Sequence, residues 1–126
     1  MRGLLLLTCL LLPPLPAGAE AIHVGPAEPV RSIKAALELA KDGDEIRVHA
    51  GIYKEHDLTV TRSITLKGME NPVIDGELKG DILNIQASGV RVEGFTLMNV
   101  ERSFTNDFAA IEITRSRDFT IQHNLL

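Results

Sequence analysis

Between Leu58 and Leu126 the chain writes one figure three times: an apolar-polar-apolar triplet, a corner, and a second such triplet. The copies are Leu58-Thr59-Val60 with Ile64-Thr65-Leu66, Leu83-Asn84-Ile85 with Val90-Arg91-Val92, and Ile111-Glu112-Ile113 with Phe119-Thr120-Ile121. Equivalent residues recur at spacings of about 25 to 29, within the range of repeat architectures. Period-two alternation marks strands, and triplets this short are not helices.

The polar middle residue of each triplet points away from the apolar pair beside it. Stacked in register about 4.8 Å apart, the copies line up aliphatic ladders: Leu58 on Leu83 on Ile111, and Leu66 on Val92 on Ile121. The expected fold is therefore all-β, a single-stranded parallel β-helix of about three coils. A sandwich or barrel needs hairpins, and the two-residue turns that mark them are missing between the triplets. Asp75-Gly76 is the only such dipeptide near a strand end, and Glu77-Leu78-Lys79-Gly80 follows it in place of an alternating run.

Residues 1–19 read as an export signal, removed before Glu20. Arg2 supplies the positive end, Leu4 to Leu12 form an apolar run of about nine residues, and Ala17-Gly18-Ala19 is a small-x-small cleavage site. Cleavage after Ala21 is the second choice. The run is about half of what spans a bilayer, and Pro13, Pro14 and Pro16 break it, so no membrane span is expected. Cys9 is the only cysteine and has too little apolar sequence before it for lipid attachment. The mature chain, about 107 residues, is then left with neither a disulfide nor a thiolate metal site. Arg2 is the one charged residue removed, leaving 12 basic against 17 acidic residues and a net charge of about −5. No basic block tracks phosphates, which argues against nucleic acid as a partner. With no Trp and one Tyr, the core has to be aliphatic.

Residues 20–44 form an N-terminal segment. Ile22-His23-Val24 is a short apolar stretch closed by Gly25-Pro26 and Pro29. The period then changes: Ile33, Ala36, Leu37 and Ala40 make one stripe of an amphipathic helix from Ile33 to Lys41. Ser32 suits the N-cap, Lys41 the last turn, and Gly43 the left-handed position beyond it. Glu45-Ile46-Arg47-Val48-His49 alternates again, as a first strand with Ile46 and Val48 inward. A solenoid's first coil exposes its apolar lumen and unpaired edges, so the helix is expected to cap that end; lying along a sheet face is the alternative. The parallel β-helix occupies residues 45–126. Leu126 falls within the third side of a coil with no polar capping segment, so the solenoid reads as truncated at its C-terminal end.

Gly68, Gly94 and His123 stand two residues after the second triplet of each copy, where a corner with positive φ is expected. Val73-Ile74, Phe95-Thr96-Leu97 and Asn124-Leu125-Leu126 then supply a third side. Asn99 and Asn124 are expected to hydrogen-bond their own backbone in the turns. The longest connection, Asn99 to Ala109, places Phe104 and Phe108 among polar residues. Arg102, Phe104, Asn106, Asp107 and Phe108 are accordingly candidates for partner contact, with packing back on the solenoid the alternative.

A solenoid that cleaves or de-esterifies polysaccharide needs acidic side chains close enough on neighbouring coils to share a substrate or a cation. The outward columns are Thr59, Asn84, Glu112 and Thr65, Arg91, Thr120, and neither holds two carboxylates. Asp75 and Asp81 flank a turn and Asp107 lies in the long loop, so an acidic cluster has to come from turns. No catalytic residues are assigned. Of the histidines, His23, His49, His56 and His123, no pair has the i, i+4 spacing of a helical metal site. His49 and His56 are neighbours in sequence, and Met69 and Met98 offer soft sulfur to copper, but the four histidines read as surface and turn residues and no metal site is assigned.

Ser32-Ile33-Lys34-Ala35-Ala36, Gly43-Asp44-Glu45-Ile46, Ala50-Gly51-Ile52-Tyr53-Lys54-Glu55, Ser63-Ile64-Thr65-Leu66-Lys67-Gly68, Val73-Ile74-Asp75-Gly76 and Val92-Glu93-Gly94-Phe95-Thr96-Leu97, in that order, resemble the amino-terminal half of the NosD family. The segment Arg102 to Ile111 is similar to the loop entering that family's next coil. The opening motifs are shared with pectinesterases and other β-helix proteins, and members of the family are much longer than this chain. The resemblance implies a right-handed, pectin-lyase-like β-helix in the periplasm. It further implies a non-enzymatic accessory in nitrous oxide reductase maturation, whose partners are an ABC transporter, the reductase and a copper chaperone. Copper enters by this resemblance alone, and no catalytic residue carries over. A carbohydrate-active enzyme of the esterase, lyase or epimerase kind, or a carbohydrate-binding or surface solenoid without chemistry, are the alternatives.

Overall fold

A computed structural model describes residues 21–102 and 109–126. Residues 1–19, read above as an export signal, together with Phe104, Asn106, Asp107 and Phe108 of the long connection, lie outside the described residues. In chain order the elements are β1 (Ala21–Val24), α1 (Ile33–Leu39), β2 (Glu45–Val48), β3 (Ile52–Lys54), β4 (Leu58–Val60), β5 (Thr65–Gly68), β6 (Val73–Asp75), β7 (Leu83–Ile85), β8 (Val90–Glu93), β9 (Thr96–Met98), β10 (Ile111–Ile113) and β11 (Phe119–Gln122). They stack as three parallel sheets, ordered β1-β2-β5-β8-β11, β4-β7-β10 and β3-β6-β9. The chain visits the sheets in rotation, which makes a parallel β-solenoid of about 4 turns.

The ladders form in the expected register. Leu58 pairs with Leu83 and Leu83 with Ile111, while Ile46, Leu66, Val92 and Ile121 stack in line. Ile46, Val48, Leu66, Leu83, Ile85 and Val92 are fully buried, and each such side chain removed from water contributes about 1.5–3 kcal/mol. The fourth turn is a correction to the count of about three. Ala21–Val24 is a strand of the solenoid, with Ile22 opposite Ile46 and Val24 opposite Val48. Its triplet has the alternation of Ile46-Arg47-Val48, but the helix inserted after it hides the repeat.

The helix is shorter than the apolar stripe. It ends at Leu39, Ala40 caps it, and Lys41 falls outside, its backbone N–H donating to the Asp44 carboxylate at 2.8 Å. Ser32 is the N-cap, accepting from the Ala35 N–H at 3.1 Å. Ile33 and Ala36 are buried, and α1 packs on β1, β2 and β4, strands from the same end of two sheets. That position covers the lumen at the first coil.

The motifs that carry the family resemblance hold this joint together. Glu55 accepts the N–H groups of Ile33 and Lys34 at 2.9 and 3.0 Å, satisfying donors that the helix start leaves free. Asp42 accepts from Ser63 N–H at 2.9 Å, and the Gly43 N–H donates to Ser63 O at 2.8 Å. Gly43 has φ 90°, but not as the helix cap expected of it: the helix ends at Leu39, and Gly43 is the third residue of a separate turn closed by Asp44 N–H to Lys41 O at 3.0 Å.

Two expectations about corners change. Gly94 and His123 do have positive φ, 84° and 55°, but Gly68 does not and continues β5. Asn124 bonds the coil above in place of its own backbone: its Oδ1 accepts from Phe95 N–H at 2.9 Å and its Nδ2 donates to Val92 O at 3.0 Å. The register puts Asn124 directly beneath that coil, so the inter-coil bonds win over the local turn. Asn99 donates to the Asp75 carboxylate at 2.9 Å, again one coil away.

Candidate functional site

The outward columns stand as the register predicts. Thr59, Asn84 and Glu112 align on one sheet and Thr65, Arg91 and Thr120 on another. A further column on the five-stranded sheet runs His23, Arg47, Lys67, Glu93, Gln122. Gln122 donates to Glu93 at 2.6 Å, and this bond above all holds the Glu93 carboxyl below its usual range, with Arg91, Lys67 and His123 acting the same way.

A second carboxylate reaches the first column from a corner. Asp81, just before β7, accepts from Ala109 N–H at 2.6 Å. Asp81 raises the Glu112 pKa above its ordinary value, through hydrogen bonding first and like-charge repulsion second. The column alone does not reveal this pair, because Asp81 is not in it. Only the approach of the next coil brings the corner to Glu112.

The other cluster sits at the capped end. His23 Nδ1 and His49 Nε2 are 2.9 Å apart, the rings are stacked with centroids 5.1 Å apart, and Glu28 Oε1 lies 3.7 Å from His49 Nε2. Their ligand atoms all fall within 4.8 Å of one another. The sequence places them there once β1 is read as a strand. His23 is the outward residue between Ile22 and Val24, and His49 is the next outward residue after Arg47 on the neighbouring strand. Glu28 comes from the loop that follows β1. The signal available in the sequence was the likeness of Ile22-His23-Val24 to Ile46-Arg47-Val48-His49.

The backbone around this cluster is fixed. His49 N–H donates to Val24 O at 2.8 Å, and the buried Tyr53 hydroxyl donates to His49 O at 2.7 Å. Burial, and then the charge of Glu55, raise the Tyr53 pKa, which keeps that hydroxyl a donor. The loop closes with Glu28 N–H to Gly25 O and Gly25 N–H to Val30 O, each 3.1 Å. Beside it is an open depression of about 330 Å³ lined by Gly25, Glu28, His49, Ala50 and Glu70 among others.

His56 is not part of this neighbourhood, contrary to the pairing with His49 suggested by sequence. It bonds Asp57 at 2.6 Å after the chain has turned through β3. His123 occupies a corner of the last coil. Met69 follows β5 one coil below His49, its N–H bonded to Val48 O, whereas Met98 ends β9 on another sheet. Of the candidate contact residues only Arg102 is among those described, and it is exposed. Compared with protein-family models, with curated proteins and with solved structures, the chain matches none of them.

Proposed function

We propose that this chain is the amino-terminal part of an exported, non-enzymatic β-solenoid that assists assembly of a periplasmic copper enzyme, as the NosD family does for nitrous oxide reductase. One observation carries the reading. The residues that resemble that family run in its order through nearly the whole chain beyond the signal, and here they occupy successive joints of one solenoid: Ser32 and Glu55 at the helix start, Asp44 after it, Tyr53 beneath His49, and Gly68 and Gly94 between coils. In this role the chain offers its outer sheets and the connection from Arg102 to Phe108 to an ABC transporter, the reductase or a copper chaperone. Expressed untagged in cells producing nitrous oxide reductase, the native gene product should co-purify with one of these partners and turn over no polysaccharide. Absence of all of them from the purified complex overturns the reading.

The Asp81–Glu112 pair favours a second reading, a carbohydrate-active β-helix in which Glu112, the carboxyl with the raised pKa, acts as general acid. It predicts turnover of an acidic or neutral polysaccharide that is abolished in Asp81→Asn and Glu112→Gln. Binding without turnover would point to a glycan-binding solenoid.

A further inference from the structure

We propose that His23 Nδ1, His49 Nε2 and Glu28 Oε1 form a binding site for one divalent transition-metal ion of the zinc(II) or copper(II) class. Two of the three ligands, Glu28 and His49, line the open depression that Glu70 also borders. The inference does not depend on the accessory reading, since a purely structural zinc ion would satisfy it equally.

Ligand atoms at the bond lengths of tetrahedral zinc, about 2.0–2.1 Å, lie about 3.3 Å apart along each edge. The measured edges, 2.9 Å between the nitrogens and 3.7 Å from His49 to Glu28, straddle that value. The third edge, from His23 to Glu28, is no longer than 4.8 Å, so rotation of these partly exposed side chains brings all three onto one ion. Glu28 and His49 side chains are 35 % and 40 % exposed, so they have room for it and an ion has a path in.

A β-carbon on Gly25 would stand 3.3 Å from both Glu28 Cγ and His49 Cβ, tighter than ordinary packing, so glycine lets loop and strand end close on each other. The ligands come from three places, an outward strand position, a loop and a strand end. Each is tied by backbone bonds that do not involve its side chain: Ile22 and Val24 in register on Ile46 and Val48, Glu28 N–H on Gly25 O, His49 N–H on Val24 O with Tyr53 on His49 O. Preorganised ligands lose little freedom on binding.

Two imidazole nitrogens and a carboxylate suit zinc(II) and copper(II), with copper(II) held more tightly on the general ordering of divalent affinities. Copper(I) prefers thiolate and thioether, which are not among these three ligands. The two nitrogens stand at hydrogen-bond distance and are partly exposed, so an ion that takes both replaces that contact without stranding a buried polar group.

The test is calorimetric titration of the untagged full chain with zinc chloride and, separately, copper(II) chloride. One ion per chain is expected, with affinity falling at least tenfold in His23→Ala and in His49→Ala and unchanged in His56→Ala. Copper(II) bound to the wild type should show two-nitrogen hyperfine structure in electron paramagnetic resonance, reduced to one in either single variant. Glu28→Gln, on the loop and clear of the core, keeps the test valid if a histidine variant unfolds: it should weaken binding about tenfold with an unchanged circular dichroism spectrum. Undiminished binding in Glu28→Gln together with a His23→Ala/His49→Ala double variant overturns the proposal, as does failure of the wild type to take up an ion.

Discussion

Gly68 and Gly94 touch backbone to backbone across successive coils. A β-carbon on Gly94 would lie 2.5 Å from the Gly68 carbonyl oxygen, and one on Gly68 would lie 2.7 Å from the Gly94 carbonyl carbon and closer still to its oxygen. No side-chain adjustment relieves a clash with main chain. The two glycines therefore set how near the coils come at this corner, and their requirements differ: Gly94 also has φ 84°, Gly68 does not.

That difference ranks three substitutions. Gly89 has φ 74° and a β-carbon there would stand 3.7 Å from its nearest neighbours, so Gly89→Ala bears only the left-handed conformation, about 1–2 kcal/mol. Gly68→Ala bears only the clash, about 3 kcal/mol if the coils part locally. Gly94→Ala bears both and should be the worst. Urea unfolding midpoints at constant m-value check the order Gly94, Gly68, Gly89, and a Gly89 variant as damaging as Gly68 would show that conformation, not contact, governs the corner.

Glu55 makes a different prediction, since it secures the cap without belonging to it. Glu55→Ala leaves the Ile33 and Lys34 N–H groups without their acceptor at a partly buried helix start, a loss of about 1–2 kcal/mol. Glu55→Gln retains one carbonyl acceptor and should lose less. Thermal unfolding with far-ultraviolet circular dichroism reads both, and equal losses for the two would mean that the carboxylate's hydrogen bonds are not what matters.

Asn124 ties the last described coil to the one before it. In Asn124→Ala the Phe95 N–H and Val92 carbonyl lose this partner, and the expected change is about 1 kcal/mol, felt locally. Amide hydrogen exchange at Phe95 should accelerate while exchange at Leu66, in the middle of the five-stranded sheet, stays as it was. Acceleration spread evenly over the solenoid would argue against a local tie.

Much of the fold was legible because a period of two in short triplets leaves one way to bury Leu58, Leu83 and Ile111 together. The lower coils, their register and the inward faces follow from that. The first turn was harder, since α1 interrupts the repeat, and without Ala21–Val24 as a strand there was no reason to bring His23 to His49. The same limitation applies to Asp81 and Glu112. Column arithmetic describes residues within strands, and a corner residue enters a column only when the path of the next coil is known. Glycine spacing marked the right corners but not the reason for them, because close approach and positive φ both select glycine and a sequence cannot separate the two.

The Asp81–Glu112 pair gives the clearest dependence on pH. The Glu112 pKa lies above its ordinary value of 4.5, chiefly through the hydrogen bond to Asp81 and then through repulsion by it. A carboxyl with a raised folded-state pKa contributes stability that is complete below the unfolded pKa and is lost as pH rises through the folded one. Asp75 and Glu93 act in the opposite sense. Asn99 and Gln122 lower their pKa values, so their contributions are present above the unfolded pKa and disappear as pH falls. Replacing Asp81 by Asn should return Glu112 toward 4.5 and remove the loss of stability on the neutral side of that value, leaving Asp75 and Glu93 untouched. Carbon-13 chemical shifts of the Glu112 carboxyl across the acid range provide the measurement. A Glu112 midpoint that stays raised in Asp81→Asn would assign the shift to desolvation and break the pairing on which the carbohydrate-active reading depends.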